Sequence, residues 1–243
     1  MILPKPRLDQ LLVDRGLVES REKAVSLIIA GEVSVNGQKQ SKPGHAVAAD
    51  ARVELLRKPR YVSRGGLKLE SALEHFAIDP TGWTCLDIGS STGGFTDCLL
   101  QHGAAKVYAI DAGTNQLDWK LRSDPRVIVR ENQNARLLNP SHVAEPIDLL
   151  VCDVSFISVT VALPPALCLL REHAGMVILI KPQFEAGRED VGKGGIVRDP
   201  QVHQQVCHRI EGFVQELGFI TSIIDSPILG AEGNREFLLY AHR

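Results

Sequence analysis

The chain has 243 residues, a net charge of −2 and a hydrophobic fraction of 44%, a balance that permits a sizeable core and argues against wholesale disorder. No run of the sequence reaches the roughly 18 apolar residues of a membrane span, and the N-terminus lacks the pattern of a cleaved signal peptide. The five cysteines are scattered without a C-x-x-C pair, which argues against a zinc site or a disulfide framework. We therefore expect a soluble, cytoplasmic protein that needs no metal ion.

Charge is distributed unevenly along the chain. Residues 1–68 carry thirteen Lys and Arg against seven Asp and Glu, whereas residues 69–243 carry fourteen against twenty-two. A basic segment followed by an acidic one indicates a module that faces a polyanion, joined to a part with another task. Chance clustering of charged residues is the alternative explanation.

The first 58 residues have the pattern of a small α+β domain. Apolar residues at helical spacing predict one helix after residue 7 and a second whose N-cap is Ser20, because a serine hydroxyl accepts a hydrogen bond from a free backbone N–H at that position. Residues 33–35 predict a strand that runs into a tight turn at Asn36-Gly37, a pair that tolerates positive φ angles. Further short strands are predicted over residues 47–56.

From about residue 66, helices alternate with apolar strands. Such alternation implies crossover connections and a mostly parallel, Rossmann-like sheet with helices on both faces. We predict a small domain at 1–58, a linker at 59–65 and an α/β domain at 66–243. The predicted strands are 84–88, 107–111, 127–129, 147–153, 176–180, 220–225 and 236–241, and the predicted helices lie near 67–75, 95–101, 159–170 and 202–217.

The turn after the first strand of the second domain is rich in glycine. Ligands of open α/β sheets bind beyond the carboxyl ends of the strands, beside this turn. Its spacing, G-x-x-x-G-G, differs from the G-x-G-x-x-G of dinucleotide sites. A D-x-G arrangement here resembles motif I of the Rossmann-like methyltransferases, whose cofactor is S-adenosylmethionine. A tight turn without a ligand is the alternative. The predicted cofactor-binding residues are Asp87, Gly89, Ser91, Gly93, Gly94, Asp111 and, after the third strand, Asn134.

Several segments together resemble one known family. Residues 7–37 resemble the RNA-binding fold first described in small-subunit ribosomal protein four, and the second domain resembles the FtsJ/RrmJ-type ribose methyltransferases. The combination is similar to the TlyA family, whose members are named both as haemolysins and as 2′-O-methyltransferases of ribosomal RNA. The resemblance implies a seven-stranded methyltransferase sheet. The segments that carry it in the second part of the chain are 61–68, 87–96, 116–122, 153–158, 181–185 and 233–238.

The resemblance places the catalytic tetrad of these ribose methyltransferases at Lys68, Asp153, Lys181 and Glu236. The predicted elements agree, because Asp153 and Lys181 each end an apolar strand, where a buried charge needs a partner or a task. Such an enzyme must align a ribose 2′-hydroxyl with the S–CH₃ bond and remove its proton. Lys181 would serve as base or electrostatic steering group, Asp153 would hold it, and Lys68 and Glu236 would orient the hydroxyl. Ordinary salt bridges are the alternative.

Basic residues of the N-terminal part are candidate phosphate contacts, which position a protein on RNA without reading bases. Few aromatic residues lie among them, so structured RNA, as in ribosomal RNA or ribosomal subunits, is favoured over single strands. Solvated surface charge is the alternative for each. Besides the RNA methyltransferase, a membrane-active haemolysin and a catalytically silent RNA-binding protein stay open as hypotheses. The predicted RNA-binding residues are Arg7, Arg15, Arg21, Lys23, Arg60 and Arg64, with Lys39 and Lys42 as further candidates.

Overall fold

The structure is a computed structural model that describes residues 5–56 and 59–243. The chain divides into two compact units, Met1–Pro59 and Arg60–Arg243. The first residue of the predicted linker, Pro59, closes the first unit, and Lys58 lies outside the described residues. Each unit has a hydrophobic core of its own.

The described residues of the first unit form two helices and a small antiparallel sheet. Ser20 caps the second helix as predicted, since its Oγ accepts a hydrogen bond from the backbone N–H of Lys23 at 3.2 Å. The prediction of several strands over 47–56 is wrong, because only residues 53–55 form one there, and the partner strand at 38–40 was missed. The elements are α1 (Leu8–Asp14), α2 (Arg21–Ile29), β1 (Val33–Val35), β2 (Gln38–Gln40) and β3 (Val53–Leu55), with strand order β2-β1-β3.

The second unit is built on a seven-stranded sheet in the described part of the chain. The strands run in the order β6-β5-β4-β7-β8-β10-β9, and only the pairs that include β10 are antiparallel. The predicted mostly parallel α/β sheet is therefore confirmed. The strands are β4 (Thr84–Ile88), β5 (Lys106–Ile110), β6 (Val127–Arg130), β7 (Ile147–Cys152), β8 (Leu170–Ile180), β9 (Ile220–Asp225) and β10 (Phe237–His242).

Helices cover both faces of this sheet. The predicted helix over 159–170 is wrong: it ends at Ala162 and a 3₁₀ turn follows over Pro164–Leu169, because prolines at 164 and 165 lack the N–H that an α-helix needs. Strand β8 then begins at Leu170, six residues earlier than predicted. The helices are α3 (Gly65–His75), α4 (Gly94–Gln101), α5 (Trp119–Arg122), α6 (Val159–Ala162), α7 (Pro182–Glu185) and α8 (Pro200–Glu216).

The two faces of the sheet are buried in separate apolar clusters. Leu86 and Ile88 point into the cluster that includes α8, whereas Cys85 points into the cluster that includes α3 and α4. Such alternation follows from the two-residue period of a strand. Since β4, β5, β7 and β8 are parallel, their carboxyl ends meet at one edge of the sheet, and most of the predicted site residues follow these ends.

Candidate active site

A cleft of about 470 Å³ lies at the carboxyl ends of β4, β5 and β7. Its volume is within the range of small-molecule sites. Four of the seven predicted cofactor-binding residues line it, namely Gly89, Ser91, Asp111 and Asn134. The structure therefore brings the first turn, the end of the second strand and the loop after the third strand to one concave surface.

Two of these residues are held in place by the backbone around the first turn. Gly89 has a φ of +83°, and a Cβ atom at this position would lie 2.5 Å from the carbonyl oxygen of Asp153. Asp111 accepts hydrogen bonds from the backbone N–H of Ser91 at 2.8 Å and from that of Gly113 at 2.7 Å. The glycine thus allows β4 and β7 to approach closely, and the Asp111 carboxylate is fixed at the wall of the cleft.

Asp87 lies beneath the turn rather than in the cleft. Its side chain is fully buried, Oδ2 accepts a hydrogen bond from Thr96 Oγ1 at 2.6 Å, and Oδ1 has no hydrogen-bond partner among the residues that the structure describes. Burial raises the pKa of Asp87 to about 7, and the hydrogen bond from Thr96 opposes this rise. An unpaired buried carboxylate oxygen is costly, which makes Asp87 receptive to a positively charged group.

The structure does not bring Gly93 and Gly94 to the cleft. A Cβ on Gly93, whose φ is +94°, would lie 2.8 Å from Cδ1 of Leu117, and a Cβ on Gly94 would lie 2.9 Å from the backbone nitrogen of Gly66. Both glycines are therefore required by packing, one beneath the segment that leads to α5 and the other against the start of α3.

The predicted tetrad forms two ion pairs at the same edge of the sheet. Lys181 Nζ lies 2.6 Å from Asp153 Oδ1 and donates to Ser155 Oγ at 2.9 Å. Lys68 Nζ lies 2.5 Å from Glu236 Oε2, and both of these side chains are buried. In the antiparallel pairing of β8 with β10, Ile180 lies opposite Phe237, so Lys181 and Glu236 are the next residues in register. The two pairs therefore come from neighbouring strand ends.

Sequence reasoning missed several residues of the cleft. Phe156 is 91% exposed, has a φ of +63° and lies with its ring 5.0 Å from that of Phe184. The segment 153–158 carried part of the family resemblance, but nothing in its pattern predicted an exposed aromatic ring. Asn134 lines the cleft while its Oδ1 accepts from the backbone N–H of Arg136 at 3.0 Å, so it also caps a turn. Besides Phe156, the lining residues that sequence reasoning missed include Gln116, Gln133, Ser155 and Ile157, whereas Asn134 was predicted.

The predicted RNA-binding arginines of the first unit have partners within that unit. The buried carboxylate of Asp9 accepts hydrogen bonds from Arg7 at 2.9 and 3.0 Å and from Arg21 at 3.0 Å. Arg15 donates to the carbonyl oxygens of Ala49 and Ala51 at 2.6 and 2.7 Å. All three arginines stay largely exposed, so these bonds orient their guanidinium groups without hiding them.

The remaining basic candidates lie on different parts of the two units. In the second unit Arg60 pairs with Glu70 and stacks over the Tyr61 ring at 5.3 Å, and Arg64 is exposed just before α3. Lys23 is half-buried on α2 of the first unit.

Across residues 5–56 and 59–243, no helix is long and apolar enough to span a membrane.

Comparisons with known proteins agree with this geometry. The model of the FtsJ-like methyltransferases matches residues 61–243, and that of the S4 domain matches residues 6–53. YqxC of Bacillus subtilis, provisionally named an rRNA methyltransferase, is 50% identical over all of this chain and 87% of its own length. TlyA of Mycobacterium tuberculosis, named a 16S/23S rRNA (cytidine-2′-O)-methyltransferase, is 44% identical over 97% of this chain and 89% of its own length.

A solved structure supports the same assignment. A Streptococcus thermophilus protein, named provisionally as a hemolysin, superposes with a TM-score of 0.78 at 44% identity, over 100% of this chain and 90% of that one. The hemolysin name thus occurs among relatives that have the same fold. The chain therefore belongs to the FtsJ-like methyltransferases and, among them, to the TlyA family, with an S4 domain ahead of the methyltransferase domain.

Proposed function

We propose that the protein transfers a methyl group from S-adenosylmethionine to a ribose 2′-hydroxyl of ribosomal RNA. The observation that carries this proposal is the pair of ion pairs Lys181–Asp153 and Lys68–Glu236, which lie at neighbouring strand ends. The names of the relatives YqxC and TlyA support the choice of ribosomal RNA as substrate.

The residues of the cleft fit this cofactor. Asp111 would accept hydrogen bonds from ribose hydroxyls, and Asn134 would contact an adenine edge, since both residues line the cleft. Gly89 would contact the cofactor through its backbone at the wall of the cleft, and the buried, unpaired oxygen of Asp87 beneath the turn would favour a nearby ammonium group such as that of the methionine end. The sulfonium of the bound cofactor would supply an activated methyl group. Ser91, Gly93 and Gly94 would shape the turn that holds it.

The tetrad would orient and deprotonate the hydroxyl. Lys181 Nζ lies 2.6 Å from Asp153 Oδ1 in an ion pair and donates a hydrogen bond to Ser155 Oγ, so it would still have a hydrogen-bonding position for the 2′-oxygen. In its amine form, Nζ would accept the hydroxyl proton. Lys68 is neutralised by Glu236 in a buried pair, so together they would position the ribose without adding net charge. Correct placement of the attacking oxygen contributes a large part of the rate enhancement in such a reaction.

The S4 domain would supply RNA affinity. We assign RNA binding to residues 1–58 and catalysis to 66–243, and residues 60–65 of the predicted linker are part of the second unit. The substrate implies action in the cytoplasm. Arg7 and Arg21 share the Asp9 carboxylate, so their free N–H groups form a paired donor surface suited to phosphate oxygens. Arg15, Lys23, Arg60 and Arg64 would add phosphate contacts. Few aromatic residues lie among these basic residues, which favours structured RNA over single strands.

Methyl transfer to ribosomal subunits tests the proposal. Labelled S-adenosylmethionine is incubated with subunits and with the parent protein or Lys181→Ala, and 2′-O-methyl positions in the RNA are mapped. Lys106→Ala is the matched control, because Lys106 pairs with Glu145 at the opposite end of the sheet. We expect labelling at a ribose 2′-oxygen by the parent and the control but not by Lys181→Ala. Equal labelling by all three proteins would refute the assigned role of Lys181.

Two other hypotheses give different outcomes. A silent RNA-binding protein would bind subunits without labelling any RNA. A membrane-active haemolysin would release dye from liposomes at low protein concentration, independently of S-adenosylmethionine. Neither has an observation in this structure that favours it over methyl transfer.

A further inference from the structure

A buried carboxylate next to the tetrad has no task in the mechanism above. Glu185, the last residue of α7, has a side chain only 2% exposed. It accepts a hydrogen bond from Ser158 Oγ at 2.7 Å and another from the backbone N–H of Val159 at 2.7 Å. Arg209 on α8 donates to the Glu185 carbonyl oxygen at 2.5 Å and pairs with its carboxylate at 3.3 Å.

These bonds close a ring of contacts around the tetrad lysine. At one end of the ring, Lys181 contacts Asp153 and Ser155. The chain then runs from Asp153 to Ser158, crosses to Glu185 through the hydrogen bonds, and returns along α7 to Lys181. The two segments that make the Lys181–Asp153 pair are therefore tied at both ends, once by the pair itself and once by Glu185.

The first of these segments needs such an anchor, because it contains strained backbone. Phe156 has a φ of +63°, a conformation that costs a bulky L-residue about 1–2 kcal/mol and persists only where the surroundings enforce it. The strained residue lies between Ser155, which Lys181 contacts, and Ser158, which Glu185 contacts. On the other side, the backbone of Asp153 abuts Gly89. Loss of the Glu185 contacts would therefore release the Ser158 end of this loop, while the Asp153 end stays packed against Gly89.

We propose that Glu185, held by Arg209, is a positioning residue for methyl transfer, which fixes the segment 153–159 and thereby the place of Lys181 relative to Asp153. This inference rests on the proposed function. Glu185 does not contact the reacting atoms; it acts through Ser158, Val159 and α7. A glutamine at this position keeps the volume but presents an NH₂ group, so it cannot accept from Ser158, Val159 and Arg209 together.

The test compares Glu185→Gln with Asp148→Asn in the full chain. Asp148 is the matched control, because it also accepts from a backbone N–H, that of Thr84 at 2.9 Å, and pairs with Arg171 at 2.9 Å, but at the opposite edge of the sheet. Methyl transfer to ribosomal subunits is measured as kcat and KM, and hydrogen exchange is measured across residues 153–160. Ser158→Ala is the second variant, since it removes one bond to Glu185 and retains its charge.

For Glu185→Gln we expect kcat to fall at least tenfold with KM for subunits within threefold, because misplaced reacting groups slow the chemical step rather than RNA binding. The Val159 amide should exchange at least tenfold faster. Ser158→Ala should show the same changes to a smaller degree, and Asp148→Asn should show neither. A kcat within twofold of the parent, or an equal loss in Asp148→Asn, would overturn the proposal.

The exchange measurement separates this proposal from the proposed function. If the parent protein labels no ribosomal RNA, the proposed function fails, and the exchange rates still decide whether Glu185 holds the segment. Unchanged exchange at Val159 in both Glu185→Gln and Ser158→Ala would refute the positioning role, whatever the activity.

Discussion

Asp87 should make the methyltransferase domain less stable as the pH rises, because its carboxyl group is buried. Burial raises its pKa from 3.8 to about 7, so between these pH values the folded protein binds more protons than the unfolded chain. The contribution of Asp87 to stability is therefore fully present below about pH 4 and is lost as pH rises through 7. A shift of about three units corresponds to about 4 kcal/mol, at about 1.4 kcal/mol per unit.

Asp87→Asn should remove this dependence. An asparagine carries no charge to bury, and its carbonyl oxygen still accepts the hydrogen bond from Thr96 Oγ1. We expect the variant to gain stability relative to the parent by about 1.4 kcal/mol for each pH unit from about 5 to 7, with a plateau above that.

Urea unfolding of both proteins at pH 5, 6, 7 and 8 checks this expectation. Tryptophan fluorescence is a suitable signal, because both tryptophans, Trp83 and Trp119, lie in the second unit. All other titrations cancel in the difference between variant and parent. A difference in unfolding free energy that stays constant within about 0.5 kcal/mol across this range, a third of the expected change per unit, would show that Asp87 is ionised throughout.

Three further substitutions have defined outcomes. In the S4 domain, the hydrogen bond from Arg7 lowers the pKa of Asp9 to about 2. The unfolding free energy of the parent should therefore fall as the pH is lowered from about 4 to 2. Unfolding titrations of Asp9→Asn should lack this contribution to the fall. Gly94→Ala places a Cβ 2.9 Å from the Gly66 nitrogen and should cost about 1–3 kcal/mol by overpacking, measured as a lower Tm. Phe156→Ala should lower kcat/KM for ribosomal subunits at least about fivefold with an unchanged Kd for S-adenosylhomocysteine, because its exposed ring lines the cleft and loss of a stacked base costs about 1–3 kcal/mol. Equal kinetics would contradict this.

The alternation of helices with apolar strands along the sequence was sufficient to predict the large sheet. Strands β4 and β9 match their predicted bounds, because each is a short run of apolar or β-branched residues between turn signals. Strand β2 was missed because Gln38–Gln40 contains no apolar residue and pairs only through its backbone. The predicted helix over 159–170 was too long, because Pro164 and Pro165 lack the backbone N–H that would continue an α-helix.

The candidate site was predictable only where a residue type is tied to a strand end. Asp153 and Lys181 follow β7 and β8, so their proximity follows from parallel pairing. The packing role of Gly94 was not predictable, because it depends on the start of α3, more than twenty residues away in the chain. Glu185 was also beyond prediction: its partner Arg209 comes from a helix whose orientation is set only by the assembled core.

The pair Lys68–Glu236 joins residues 168 positions apart in the chain. Loops of this length close slowly, and folding rates fall as contacting residues become more distant in sequence. The helix that carries Lys68 and the strand next to Glu236 can both form well before the two meet. After dilution from denaturant, methyl transfer should therefore recover later than helical circular dichroism, since the tetrad is complete only when the most distant contact of this site has formed.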